Sequence, residues 1–209
     1  GHTVVEESEP ADAYIINSCT VTHAADRDAR LSALRFKRHN PAGQVGVVGC
    51  YGQVGKEELL AINEIDFVVG TANKHRVFEH FEAAKQIARD QVEMSTGYLP
   101  TAFPGSRNSR ASVKVQDGCN FKCSFCIIPV ARGRSRSLEM EAVIAQVDEA
   151  YAQGFQEVVL TGIHLAHYGW DKGTDLMALL ERLLGQKTGP RIRLSTLDPF
   201  EIPDSLISL

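Results

Sequence analysis

Short apolar runs alternate with longer amphipathic segments through the first hundred residues. β-branched apolar runs predict strands over 13–17, 44–49 and 66–70. The segments between and after them predict helices over 23–39, 56–62 and 74–89. In the first helix acidic residues lie near the start and basic residues near the end, as the helix dipole favours. Because strands that alternate with helices form parallel sheets, this region is predicted to be an α/β, flavodoxin-like layered domain.

The same alternation returns in the second half of the chain. Apolar runs predict strands over 111–116, 157–160 and 192–195. Helices are predicted over 138–152, with Ser137 as N-cap and Gly154 closing it, over 174–184, and from near Pro203 onward. Strands and helices in this order are typical of part of a TIM-like barrel. About three βα units are present, so the barrel is expected to be truncated.

A polar connector separates the two halves. Residues 91–110 contain Pro, Gly and Ser and lack the periodicity of either element type. The sequence therefore predicts an amino-terminal domain over 1–94, a linker over 95–110 and a second domain over 111–209.

Composition indicates a soluble globular protein. The chain has 209 residues, 44% of them hydrophobic and 23% charged. No apolar run approaches the roughly 18 residues of a membrane helix, and no signal peptide is recognised, so no membrane partner is expected. The five cysteines are odd in number and partly clustered, which argues against a disulfide framework and for a reducing cytoplasm.

Positive charge is concentrated in one stretch. The chain has a net charge of −4, but residues 101–136 contain seven Lys and Arg against one acidic residue, Asp117. Arg132, Arg134 and Arg136 close this stretch. A basic patch of this kind attracts phosphate, as an RNA substrate would require. A solvated basic loop, or arginines paired with the acidic helices that follow, is an equally open interpretation.

The most informative motif is a run of three cysteines. Cys119, Cys123 and Cys126 have C-x3-C-x2-C spacing. Three thiolates can hold three irons of a [4Fe–4S] cluster and leave the fourth iron open for chemistry. Zinc ribbons pair two C-x2-C motifs, and ferredoxins use C-x2-C-x2-C, so neither spacing matches. A zinc knuckle, a disulfide knot or chance are the alternatives, but no histidine or further cysteine lies close by in sequence to complete a zinc site.

This motif, with Phe125 just before its last cysteine, resembles the signature of radical S-adenosylmethionine (SAM) enzymes. The stretch from Asp117 to Ser137, with Ile128-Pro129 and Ala131-Arg132-Gly133, is similar to the methylthiotransferase branch. The resemblance implies that the second domain is the first half of a radical SAM partial barrel. It also implies that SAM is bound and split at the open iron.

The resemblance extends to the other two cysteines. Cys19 and Cys50 follow the first and second predicted strands, so both should lie at the same edge of the sheet, where ligands of parallel sheets bind. The family resemblance makes them two of three ligands of a second [4Fe–4S] cluster, which would hold the sulfur to be inserted. The third cysteine that the family places near its amino terminus is missing, and the sequence is expected to begin inside the native domain. Two buried structural cysteines are the alternative.

The resemblance also implies the residues that contact SAM. Thr161 and Gly162 occupy the place of the family's short glycine motif near the methionine amino group, and Ser195 ends the next strand. Phe125 is expected to pack beside the adenine. A plain strand-to-loop turn is the alternative for Thr161-Gly162. His164 and His167 are interpreted as loop residues lining the pocket, because no carboxylate partner is placed for them in the sequence.

Several stretches are most similar to the subgroup that methylthiolates threonylcarbamoyladenosine beside the tRNA anticodon. Sister subgroups act on isopentenyladenosine in tRNA or on an aspartate of a ribosomal protein, and both stay open. A non-catalytic metal protein that binds RNA is the alternative of another class. The resemblance implies a tRNA substrate, contacted by Arg132, Arg134 and Arg136, and an electron donor such as flavodoxin or ferredoxin.

Overall fold

The computed structural model describes residues 2–74, 77–78, 81, 109–185 and 189–209. The chain divides into a first unit, Gly1–Gly97 with Lys122–Gly133, and a second unit, Tyr98–Phe121 with Arg134–Leu209. The predicted helix over 74–89 and the predicted linker over 95–110 fall almost entirely outside the described residues. The predicted domain boundaries therefore stay a prediction.

The first unit contains a parallel sheet with helices between its strands. Its strands pair in the order β1-β2-β3, and residues at the strand ends are in register, Ser18 with Gly49 and Val48 with Val69. The described elements are β1 (Ala13–Ser18), α1 (His23–His39), β2 (Gln44–Gly49), α2 (Cys50–Val54), α3 (Lys56–Leu60), β3 (Phe67–Val69) and α4 (Ile128–Arg132). This confirms the α/β prediction for the described part of the unit.

Local signals define α1. The Thr22 side chain accepts a hydrogen bond from the backbone N–H of Ala25 at 3.2 Å, which caps the first turn. Ala29 and Ala33 are buried against the sheet, whereas Arg35 and Arg38 are exposed. The small buried side chains let the helix approach β1 and β2 closely, which keeps the strand ends and the loops after them in place.

The second unit contains another parallel sheet, in the order β4-β7-β8. Its core is apolar and almost fully buried, with Val113, Val158 and Leu160 from the sheet against Val143 and Leu179 from the helices. The described elements are β4 (Arg110–Lys114), β5 (Gln116–Asp117), β6 (Arg136–Ser137), α5 (Met140–Ala152), β7 (Glu157–Thr161), α6 (Leu176–Leu184), β8 (Arg191–Leu194) and α7 (Asp204–Ile207), with short 3-10 helices at Leu165–His167 and Pro199–Glu201.

The prediction that Ser137 caps a helix is wrong. Helix α5 begins at Met140 with Glu139 at the N-cap position, and Ser137 lies in β6. The Ser137 hydroxyl instead accepts a hydrogen bond from the backbone N–H of Gly169 at 2.8 Å. The Ser137 side chain therefore bonds a backbone group that is distant in sequence instead of the backbone at the start of α5.

Two further details differ from the predicted elements. The strand predicted over 111–116 is divided into β4 and β5, because Gln116 and Asp117 leave the sheet to pair antiparallel with β6. The helices α2 and α4, each of five residues, were not predicted. Gly154 ends α5 as predicted, with a φ of +93° that favours glycine. Within the described residues, no helix has the length and apolarity needed to cross a bilayer.

Candidate metal centres

Three free thiols lie in the segment that follows β5. Cys119 and Cys126 are half-buried and Cys123 is exposed. Gly118, with a φ of +74°, turns the chain out of β5 immediately before Cys119. The backbone N–H of Cys126 donates to the carbonyl of Cys123 at 3.0 Å. Cys119 belongs to the second unit and the other two to the first. As a donor set, three unpaired thiols fit an iron–sulfur cluster with one open iron.

Gln116 connects the backbone just before Cys119 to two other loops. Its side chain is fully buried, and its amide Nε2 donates to the Gly118 carbonyl at 2.7 Å and to the Ser135 hydroxyl at 2.9 Å. Its Oε1 accepts from the backbone N–H of His164 at 2.8 Å. A single amide thus connects three loops around the thiol. This role was not predicted, since a polar residue at the end of a predicted strand carries no distinguishing signal.

One of the predicted RNA-binding arginines is part of an ion pair. Arg136 Nη2 lies 3.0 Å from Asp117 Oδ2, and Lys114 Nζ lies 3.3 Å from the same oxygen. Asp117 is buried, so the two cations compensate its charge. Arg134 is exposed to solvent. The three arginines assigned together from the sequence therefore have different surroundings.

The residues predicted to contact SAM in the second unit lie at the carboxyl ends of neighbouring strands. Thr161 ends β7, and its carbonyl accepts from the backbone N–H of Val115 at 2.8 Å. A Cβ on Gly162 would lie 2.9 Å from Gln116 Oε1, so only glycine fits there. Ser195 follows β8, and its Oγ is buried without a hydrogen-bond partner among the described residues. Phe125, in the first unit, is 91% exposed.

His164 and His167 have a carboxylate partner, so the expectation that none is placed for them is wrong. The carboxylate of Glu201 contacts Nε2 of His164 and lies 3.1 Å from Nε2 of His167. The sequence separation of at least 34 residues hid this pairing. Nδ1 of His164 lies 3.9 Å from Sγ of Cys119, and Trp170 stacks on His167 with ring centroids 3.8 Å apart.

The side chains of His164, His167 and Glu201 form a hydrogen-bonded group. Their ligand atoms lie within 4.8 Å of one another, a spacing that a metal ion could bridge. However, the two imidazole rings stack 3.8 Å apart and only 10° from parallel, so their in-plane lone pairs do not converge on one point. Burial lowers the pKa of His167, the neighbouring His164 lowers it further, and Glu201 opposes both effects.

The first unit holds the other two cysteines at one edge of its sheet. Cys19 follows β1 and Cys50 follows β2, the placement expected from the sequence. They border a cavity of about 180 Å³. The cavity is lined by Asn17, Ser18, Cys19, Gly49, Cys50, Thr71, Lys74 and Arg132. Two free thiols beside two cationic side chains fit part of the ligand set of an anionic iron–sulfur cluster.

Backbone geometry and a distant arginine hold Cys50 in this cavity. Gly49 has a φ of +98°, and a Cβ there would lie 2.7 Å from the Ser18 carbonyl oxygen. The chain can therefore turn sharply from β2 into α2. Arg132 Nε donates to Cys50 Sγ at 3.0 Å across a separation of 82 residues. Arg132 was predicted to contact RNA, and the sequence contains no signal for its contact with Cys50.

Two family profiles match the chain. Residues 1–70 match the uncharacterized protein family UPF0004, and residues 113–204 match the radical SAM superfamily. A threonylcarbamoyladenosine tRNA methylthiotransferase from Aquifex aeolicus is 39% identical, with 100% of this chain and 52% of that protein covered. The protein of the same name from Bacillus subtilis is 37% identical, with 96% and 46% covered. The chain spans about half the length of the curated relatives it matches.

A solved structure shares the fold. The radical SAM methyltransferase TsrM from Kitasatospora setae, solved with cobalamin and a [4Fe–4S] cluster bound, matches with a TM-score of 0.60. Identity is 15%, and the match covers 94% of this chain and 46% of that chain. It supports an α/β fold of the radical SAM type. With the two family profiles and the relatives along its whole length, the chain belongs to the radical SAM methylthiotransferase family.

Proposed function

We propose that this chain supplies the catalytic part of a methylthiotransferase that replaces a C–H bond of threonylcarbamoyladenosine in tRNA with C–S–CH3. The observation that carries the proposal is the presence of two separate sets of free thiols. Three lie in the C-x3-C-x2-C segment, and two lie at the sheet edge of the first unit. One set suits radical formation and the other suits sulfur supply.

In this proposal Cys119, Cys123 and Cys126 hold the first [4Fe–4S] cluster. When bound, the cluster and SAM supply a carbon-centred radical that removes hydrogen from an unactivated C–H bond, which no side-chain base could do. Thr161, Gly162 and Ser195 would border the methionine part of SAM, and Phe125 would cover the adenine. Because Gly162 has no side chain, its backbone would be accessible to SAM. The Gln116 side chain fills the space that a Cβ on residue 162 would take. The buried, unpartnered Ser195 Oγ is a donor available to a bound ligand.

The second set would hold the sulfur to be inserted. Cys19 and Cys50 would bind the second [4Fe–4S] cluster together with one further ligand. Cys19 is exposed and Cys50 is buried, and both line the cavity. The cationic side chains that line the cavity would compensate the negative charge of a thiolate-ligated cluster.

The basic stretch over 101–136 would meet the tRNA. Arg134 is the exposed arginine of the predicted set and would make the phosphate contact, whereas the Arg136 side chain is 13% exposed and paired with Asp117. Phosphate contacts of this kind position RNA without reading its sequence. Flavodoxin or ferredoxin would supply the electrons, and the free thiols are consistent with a reducing cytoplasm.

The substrate subgroup rests on resemblance and on the names of the relatives. Proteins named tRNA-2-methylthio-N(6)-dimethylallyladenosine synthase and ribosomal protein uS12 methylthiotransferase also match, at 31% and 36% identity. Methylthiolation of isopentenyladenosine in tRNA, or of the ribosomal protein, is therefore the second candidate. Mass spectrometry of tRNA nucleosides from a deletion strain distinguishes them. Loss of the methylthio group from threonylcarbamoyladenosine alone supports the proposal, and its retention there rejects this substrate.

The enzyme class is tested separately. The protein at its full natural length is reconstituted anaerobically with iron and sulfide and assayed for cleavage of SAM to deoxyadenosine. We expect about four irons per chain for one cluster or about eight for two, and cleavage that disappears in Cys123→Ala. Cleavage that persists in this variant, or stoichiometric zinc in place of iron, would reject a radical SAM mechanism and favour the non-catalytic metal protein.

A further inference from the structure

Of the two thiols that line the cavity of the first unit, Cys50 is hydrogen-bonded to a charged side chain, that of Arg132. Arg132 is the last residue of α4, and its Nε lies 3.0 Å from Cys50 Sγ. Cys50 is 4% exposed, so its sulfur is largely shielded from water. A charged donor at this distance makes a stronger hydrogen bond than a neutral one.

Arg132 is held in this position by its surroundings. The hydroxyl of Thr71 donates to the Ala131 carbonyl at 3.2 Å, and the backbone N–H of Thr71 donates to Gln53 Oε1 at 3.1 Å. Ala131 is fully buried, and Gly133 reverses the chain with a φ of +79°. The carboxyl end of α4 is thereby fastened to the loop after β3 and to α2. The contact with Cys50 is therefore part of a packed arrangement within the first unit.

The arginines on either side of Gly133 differ in environment. Arg134 is exposed, whereas Arg132 is half-buried and lines the cavity of Cys19 and Cys50. A phosphate-binding arginine needs its guanidinium at the RNA surface, but this one donates to a thiol. The two residues carry the same charge two positions apart, and so they form a matched pair for experiment.

We infer that Arg132 is a positioning residue of the second cluster. It donates a hydrogen bond to the Cys50 sulfur and thereby raises the reduction potential of that cluster. The inference rests on the proposed function, since it requires a cluster at Cys19 and Cys50. Hydrogen bonds to cluster sulfurs and nearby positive charge both favour the reduced, more negative state. Arg132 thus acts on the sulfur-carrying site and not on the RNA.

The test uses the full-length protein with Cys119, Cys123 and Cys126 all replaced by Ala, so that only the second cluster assembles. Arg132→Gln, Arg132→Lys and Arg134→Gln are added to this parent, and each protein is reconstituted anaerobically. The reduction potential is measured by a titration followed by electron paramagnetic resonance. Iron content, helix content by circular dichroism, and tRNA affinity are measured on the same samples.

We expect Arg132→Gln to shift the potential to more negative values, Arg132→Lys to shift it less, and Arg134→Gln to leave it at the parent's value. Loss of the cluster from the Gln variant with normal helix content also supports the assignment. A parent-like potential in Arg132→Gln, with tRNA affinity reduced as in Arg134→Gln, would overturn it. Loss of helix content in both Arg132 variants would overturn it in favour of a purely structural role.

Failure of the proposed function gives a different result in this experiment. If the parent itself takes up no iron at Cys19 and Cys50 at full length, the two-cluster assignment fails together with the inference. If the parent binds a cluster and Arg132→Gln leaves its potential unchanged, only the role of Arg132 fails. The reduction potential, the iron content and the RNA affinity together therefore distinguish failure of the proposed function from failure of the role of Arg132.

Discussion

Gln116 accepts a hydrogen bond from the backbone N–H of His164 at 2.8 Å, and this bond joins the start of β5 to the loop after β7. The same side chain donates to the Gly118 carbonyl and the Ser135 hydroxyl. Cys119 is thus preceded by a backbone that one buried amide connects to two other loops. The relationship explains how a segment with little regular secondary structure is held at a defined place.

Replacing Gln116 with Glu should destabilise the second unit. Glutamate keeps the size and the acceptor but removes the amide donor, leaving the Gly118 carbonyl unpaired and placing a carboxylate in a buried site. We expect a loss of about 3 kcal/mol in the free energy of unfolding, measured by urea denaturation. Gln153→Glu, at an exposed position on the α5 C-cap, serves as the control and should change stability by less than about 0.5 kcal/mol. Equal effects of the two changes would contradict the structural role of Gln116.

Local signals made much of the fold predictable. The bounds of α1 agree with the predicted 23–39, because its cap at Thr22 and its charge distribution are both encoded within a few residues. The strands β1, β2 and β7 were predicted to within one residue, since a short apolar run bounded by polar residues is itself the signal. The positions of the cysteines at strand ends followed directly from these strands.

The contacts that define the sites were not predictable in the same way. Glu201 reaches His164 and His167 only after an intervening helix and strand, and Arg132 reaches Cys50 across 82 residues. No periodicity or spacing encodes such pairs, because they depend on how the elements fold back on each other. Ser137 shows the same limit, since its hydroxyl binds Gly169 rather than the helix end that its position in sequence indicates.

Gly49→Ala should disturb the cavity of Cys19 and Cys50. The substitution places a Cβ 2.7 Å from the Ser18 carbonyl oxygen at a residue whose φ is +98°. We expect a loss of about 2–3 kcal/mol in the free energy of unfolding, together with a lower iron content at the second site. Urea denaturation and iron analysis measure the two effects.

Gly154→Ala is the matched control for this substitution. Gly154 also has a positive φ, +93°, but among the described residues, its chain neighbours aside, no atom lies within 4 Å of the position that a Cβ would take there. Gly154→Ala should lower the free energy of unfolding by about 1 kcal/mol, the cost of the backbone conformation alone, and leave iron uptake unchanged. If both variants lost the same stability and both retained iron, the close approach of Gly49 to Ser18 would not matter for the cavity.

Tyr168 should make stability fall at alkaline pH. Its side chain is fully buried, its hydroxyl donates to the Leu138 carbonyl at 3.0 Å, and burial, followed by Glu139 and Asp171, raises its pKa to about 12. The folded protein therefore binds this proton more tightly than the unfolded chain, in which a tyrosine pKa is about 10. The contribution to stability is complete below about pH 10 and is lost as the pH rises toward about 12.

The variant Tyr168→Phe tests this pH dependence. At neutral pH the free energy of unfolding of this variant should be about 1 kcal/mol lower than that of the parent, the usual contribution of one hydrogen bond. Between about pH 10 and pH 12, however, its free energy of unfolding should fall less than that of the parent, as measured by urea denaturation at each pH. Tyr151→Phe, at a position 40% exposed on α5, should retain the full decline. An identical decline in all three proteins would show that Tyr168 does not control it.

Arg134→Gln should weaken tRNA binding through charge alone. Arg134 is exposed in the most basic stretch of the chain, so its guanidinium is available to a phosphate. Removing one phosphate contact releases one fewer counterion, and the slope of log affinity against log salt should decrease by about 0.7–0.9. Binding is measured by filter retention of labelled tRNA with the full-length protein over a series of salt concentrations.

Arg38→Gln provides the comparison. Arg38 is exposed at the end of α1, so this substitution removes the same charge from a different surface. A slope change specific to Arg134 would place the phosphate backbone beside the segment that follows α4. Equal slopes in Arg134→Gln, Arg38→Gln and the parent would instead mean that tRNA is bound by another surface, and the basic stretch would be a solvated loop.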